Sequence, residues 1–146
     1  MATGGLPALE SVGRVFGDTS FFFASLNPMD AFHARARAIS EETKLRGIEV
    51  VTTWDVVVEC VALLRYRLGY LGSRTFLVDV RPNLSVVHAT EIERQAAVEF
   101  FLKRAAARRL SLCDAISYVV VAGRLEWAPC LAFDEDFVAM GLTVVR

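Results

Sequence analysis

The chain has 146 residues but only three cysteines and two histidines, and little lysine. Cys60, Cys113 and Cys130 are an odd number at no metal-ligand spacing, and His33 and His88 stand alone. Neither a disulfide framework nor a zinc site is indicated, and the cysteines read as small buried apolar side chains. Long hydrophobic runs are also missing. Hydrophobic residues make up 54% of the chain and its mean hydropathy is +0.40, yet charge interrupts its longest apolar stretches, residues 19–29 and 115–123, too soon. No stretch reaches the roughly 18 to 20 apolar residues that a spanning helix needs. Residues 1–17 lack a basic region followed by an apolar segment, so a cytoplasmic protein without a secretion signal is expected. A P-loop and a Gly-x-Gly-x-x-Gly run are absent, which argues against nucleotide binding by those means. The net charge of -1 excludes coating of nucleic acid by bulk electrostatics and leaves room for a local basic rim.

What is present reads as one α/β domain. Residues 1–11, with Gly4, Gly5 and Pro7, read as a flexible leader, and a single domain is expected over 12–146. Strands are expected at 12–17, 48–52, 84–88, 128–133 and 142–145, the last two around an acidic turn. Helices are expected at 20–26, 30–46, 54–68, 73–80, 90–109 and 111–123. Thr53 is a plausible cap for the third, which Gly69 and Gly72 should end, and Ser111 with Asp114 resembles a capping box. Alternation of this kind implies a mainly parallel sheet covered on both faces, a three-layer α/β/α architecture. Ligands of such sheets bind off the carboxyl ends of the strands, where Asp18 and Asp134 both fall.

Four acids stand in apolar company. Glu59 lies in a helix that reads as apolar on nearly every face and therefore buried. A lone carboxylate there costs several kcal/mol unless a cation or donor meets it, so it reads either as functional or as paired with an arginine such as Arg65. Asp114 opens a helix, where backbone N–H groups favour the charged form; it reads as a metal ligand or as its own helix cap. Asp18 is the only acid between Glu10 and Asp30, with phenylalanines around it, and a cap for the following helix is the other reading. Asp134 is followed by Glu135 and Asp136, of which Glu135 is expected to face solvent. Converging carboxylates repel unless they are partly protonated or hold a cation. All-oxygen ligation selects Mg²⁺ or Mn²⁺, and phosphodiester hydrolysis is the natural chemistry of such a centre. Phe21, Phe22 and Phe23 in succession cannot all face one core; either at least one lies in a groove or at a dimer contact, or three faces of the helix are buried between the sheet and its neighbours.

The order of these fragments, Asp18-Thr19-Ser20, then Glu59, then Ser111 to Asp114, then Asp134 between Phe133 and Glu135, resembles a PIN domain. More narrowly it resembles the VapC-type toxins of toxin-antitoxin operons, over nearly the whole chain. The resemblance implies a Mg²⁺- or Mn²⁺-dependent endoribonuclease, usually a homodimer, held inactive by a small antitoxin protein. It carries the catalytic and metal-binding roles to Asp18, Glu59, Asp114 and Asp134, with Asp136 as a second candidate for the last ligand and Thr19 or Ser20 as the supporting hydroxyl. One departure is Ala132, where the family commonly has a hydroxyl two residues before its last acid. A non-catalytic PIN-like binding module is the alternative. Arg35, Arg37, Arg46, Arg108 and Arg109 read either as solvated helix arginines or antitoxin contacts, or as RNA contacts near the cleft.

Overall fold

Short apolar runs, β-branched in three of the five strands, form the sheet of the computed structural model, which describes residues 7–146. The strands are β1 (Arg14–Gly17), β2 (Glu49–Thr53), β3 (Ser85–Val87), β4 (Cys130–Leu131) and β5 (Val144–Val145). They lie in the order β3-β2-β1-β4-β5, every pair parallel. Six α-helices connect them among the described residues: α1 (Thr19–Leu26), α2 (His33–Leu45), α3 (Trp54–Thr75), α4 (Glu91–Arg104), α5 (Leu112–Ala122) and α6 (Glu135–Ala139). The architecture is the expected three-layer α/β/α, because parallel neighbours need helical crossovers that cover the sheet faces. No helix among the described residues is long and apolar enough to cross a membrane.

Local signals set the helix starts. Thr53 accepts from the Val56 amide at 3.1 Å, while Thr90 with Glu93 and Ser111 with Asp114 close capping boxes. Elsewhere packing departs from the sequence reading. Gly69, at φ 78°, breaks the axis of α3, but the helix resumes to Thr75 and runs on through a π-type stretch, Phe76–Val80, because Phe76 is anchored in the core. The acidic turn after β4 is the short helix α6. Phe21, Phe22 and Phe23 are all buried, so of the two readings of this run the one with three buried faces holds. Phe22 packs on Phe76, the Arg67 guanidinium lies over Phe23, and Phe21 stacks on Phe133. Leu9 is also buried, so the packed chain begins before position 12. The expected leader's residues 1–6 lie outside the described residues.

The core converges on the end of β1. Val15 and Phe16 are fully buried, and Phe16 stacks on Phe137 of α6. At Gly17 a Cβ would come within 2.4 Å of the Phe22 ring, so a side chain here would displace a packed aromatic. The Thr52 hydroxyl donates to the Gly17 carbonyl at 2.8 Å, and the Asp18 amide donates to the Leu131 carbonyl at 3.0 Å. These bonds hold the residue after β1 between β2 and β4.

Candidate metal centre

From β1 the chain steps to β2 and β3 on one side, while β4 and β5 lie on the other, so β1 and β4 flank the point where the strand order reverses. Asp18 leaves the end of β1 and Asp134 leaves the loop after β4, which puts both at the crevice such a reversal opens.

Three of the aspartates share a local design. Asp18 caps α1, and its Oδ2 accepts from the Ser20 amide at 3.1 Å and the Ser20 hydroxyl at 2.6 Å. Asp114 sits in the first turn of α5 with its Oδ2 accepting from the Ser111 amide at 2.9 Å. Asp134 caps α6 through Oδ1, which accepts from the Asp136 amide at 2.9 Å. Each therefore fixes its position with one oxygen, and the hydrogen bonds leave the other oxygen uncommitted. For Asp18 and Asp114 the cap reading and the ligand reading are thus compatible. Two full-length helices and one short one also bring N-terminal partial positive charge toward the acids, which offsets part of their mutual repulsion.

Asp114, Asp134 and Asp136 each offer a carboxylate oxygen within 4.8 Å of the others. Oxygens on opposite sides of a Mg²⁺ or Ca²⁺ ion stand about 4 to 5 Å apart, so this spacing fits a hard divalent cation, as does a donor set made only of oxygen. Asp18 and Glu59 belong to the same electrostatic cluster. Burial pushes the Asp18 carboxyl up to about 7; the Ser20 bonds oppose this, and the charges of Asp114 and Glu59 add to it. Burial raises Asp114 to about 6 against its Ser111 bonds, with Glu59 and Asp134 contributing. Asp136 is raised by burial and by Asp134, with Arg108 pulling the other way. Burial and then the charges of Asp18 and Glu59 hold the Cys60 thiol far above its ordinary range. Cys113 is raised likewise, by burial and by Glu59, Asp18 and Asp114. These thiols stay protonated, and carboxylates are the anionic groups of the site.

The surroundings of Glu59 differ from the sequence reading. Trp54 and Val58 are about half exposed, so the first turns of α3 have an open face, and Glu59 is only partly buried. Arg65 is exposed, and no ion pair to Glu59 exists among the described residues. Of the two hydroxyls beside Asp18, Ser20 is the one that bonds it. The same Ser20 oxygen accepts from the Phe133 amide at 3.0 Å and so ties the first acid to the loop that carries Asp134. This link stands next to Ala132, where no hydroxyl is available. Thr19 is buried, and its Oγ1 has no hydrogen-bond partner among the described residues. Glu135 faces solvent and pairs with Arg146. Arg46, at the C-cap of α2, is paired with Glu42, Arg35 donates to the Arg146 carbonyl, and Arg37, Arg108 and Arg109 are exposed. A cavity of about 550 Å³ lies at the opposite end of the sheet, between Ser11, Arg14, Glu49 and Trp127, and none of these acids lines it.

Two features escaped the sequence reading. One is the Ser20 bridge to Phe133, and the other is the stacking of Phe32 on Phe133, with ring centroids 4.6 Å apart. Both join segments about a hundred residues apart, and no local pattern announces them.

No family model matches the chain, and no curated protein matches it in sequence. Among solved structures it is similar to Mycobacterium tuberculosis VapC20, a sarcin–ricin loop cleaving toxin. That likeness has a TM-score of 0.78 and 30% identity over 90% of this chain and 98% of that one. It is also similar in fold to FitAcB from Neisseria gonorrhoeae, with a TM-score of 0.66 and 14% identity over 90% of this chain and 96% of that one.

Proposed function

Because the chain belongs to the PIN-domain toxins of the VapC type, we propose that it is a divalent-metal-dependent endoribonuclease that hydrolyses RNA phosphodiester bonds. The observation that supports this reading is the cluster of Asp114, Asp134 and Asp136, whose carboxylate oxygens lie within 4.8 Å of one another, together with the charges of Asp18 and Glu59, which are near enough to act on it.

In this reading Asp114 and Asp134, with the oxygens that their cap hydrogen bonds leave free, and Asp136 from the first turn of α6 hold Mg²⁺ or Mn²⁺. Asp18 and Glu59 complete the anionic wall. A bound cation supplies charge to a phosphoryl oxygen and lowers the pKa of water. The chain's own residues do the rest. Ser20 fixes the Asp18 carboxylate and the Phe133 backbone relative to each other, so the walls of the crevice keep one spacing. A carboxylate whose pKa burial has brought near neutrality, as at Asp18 and Asp114, is suited to exchange a proton with water. Under the same reading the described residues act as a single domain, a second copy and a small antitoxin protein are its partners, and its compartment is the cytoplasm, where the RNA is.

The test is cleavage by antitoxin-free protein of total RNA and of a sarcin–ricin loop RNA, the substrate class of VapC20, in Mn²⁺ and in EDTA. Asp18→Asn, prepared identically, subtracts contaminating nuclease. Cutting by the wild type alone, lost in EDTA, is the expected result. Equal traces from both proteins in both buffers contradict it and favour a non-catalytic binding module.

A further inference from the structure

Three phenylalanine rings form a column that runs from the core to the surface beside the acids. Phe21 of α1 is buried and stacks on Phe133 with centroids 6.3 Å apart and planes 22° apart. Phe133 stacks in turn on Phe32 at 4.6 Å, with planes within 5° of parallel. Phe32 is 49% exposed while its ring is stacked on Phe133, so the outer end of the column reaches solvent.

The column is built into the site. Phe133 immediately precedes Asp134, and its amide donates to Ser20 Oγ, which itself donates to Asp18. The outer ring is also fixed in advance. The Phe32 amide donates to Asp30 Oδ1 at 2.8 Å, and its carbonyl accepts from the Ala36 amide at 2.8 Å, which pins the backbone at the entry to α2. Holding a half-exposed aromatic ring flat against another costs apolar exposure that the fold could avoid with a smaller residue.

We propose that Phe32 is a stacking platform for a nucleobase of the RNA whose phosphate the acids engage. The proposal rests on the ribonuclease reading and deepens it. A half-exposed ring stacked on Phe133, the residue that precedes Asp134, matches a nucleotide, whose base and phosphate are joined through one sugar. Stacking on an aromatic face accepts every base, because each presents a π-surface, and Phe32 therefore supplies grip and register more than sequence choice. As a positioning residue it sets which phosphate lies over the carboxylates.

The experiment measures binding of random-sequence single-stranded RNA, and of an abasic ribose-phosphate chain of equal length, in the non-cleaving Asp18→Asn background with Mn²⁺. Phe32→Ala and Phe32→Leu are expected to weaken RNA binding about tenfold, the range of one stacked base, and Phe32→Trp to restore it. All four proteins should bind the abasic chain alike. Leucine performing as well as phenylalanine overturns the stacking role while leaving the nuclease reading intact. An equal loss on the abasic chain also overturns it, because the ring then acts only through structure. If neither RNA nor abasic chain binds and the wild type cuts no RNA, both readings fall, and the open ring is a protein contact.

Discussion

Replacing Asp18 with asparagine is expected to abolish RNA cleavage, by more than about 100-fold, while making the metal-free protein more stable at pH 8. A loss of 10- to 100-fold is typical when a group merely supporting a metal ligand is removed, and Asp18 stands in the cluster itself. The stability gain has a separate origin. With its carboxyl at about 7 in the folded protein and near 4 in an unfolded chain, the ionised form is disfavoured by the fold. At pH 8 this costs on the order of a few kcal/mol. Asparagine keeps an oxygen for the Ser20 amide and carries no charge, so a rise in melting temperature of about 5 to 10 °C is expected. Glu59→Gln should also abolish cleavage, because it removes another acid of the same cluster. Full activity in either variant assigns that residue away from the site.

The metal-free wild type is expected to lose stability as pH rises from about 4 to about 7. The folded-state values of Asp18 and Asp114 are both raised, so between their unfolded values and about 6 to 7 the folded protein binds more protons than the unfolded one. Stability then falls with increasing pH and levels off once both groups are ionised in both states. This is the reverse of a paired carboxylate, whose contribution is lost on acidification. Mn²⁺ at millimolar concentration should remove the decline, since a cation that binds only the folded, ionised site stabilises it by mass action. Thermal unfolding from pH 4.5 to 8.5, with and without Mn²⁺, reads both effects. A metal-free melting temperature that rises steadily across this range contradicts the origin assigned to them.

How much of this could be read from the sequence depends on the range of the interaction. Asp18 and Asp114 were legible because their positions follow from short patterns: a short apolar strand ending in Gly17, and a serine three residues before an acid. The parallel sheet was implied by alternation alone, whereas its strand order was not. Glu59 was half legible. Its apolar neighbours marked it, but at 100° per residue Val58 turns to solvent while Val57 and Cys60 turn inward, so the helix is buried on one side only. α6 was missed because five residues give too little periodicity, and its cap, Asp134, had been read as part of a turn. The three consecutive phenylalanines are all buried because the long α3, the loop after β4 and Phe76 surround α1, an enclosure set by tertiary packing. Ser20's bond to Phe133 and the ring column depend on that same enclosure.

The central claim is that these acids form one site for a hard divalent cation. Calorimetric titration of Mn²⁺ into the metal-free protein at pH 7, in two buffers of different ionisation enthalpy, tests it most directly. The wild type should bind Mn²⁺ and release protons, since Asp18 is partly protonated at that pH. Asp114→Asn should lose most of the affinity, and Glu135→Gln, altered at the solvent-facing neighbour, should bind as the wild type does. Binding that survives Asp114→Asn unchanged, or no binding by the wild type, would contradict the account.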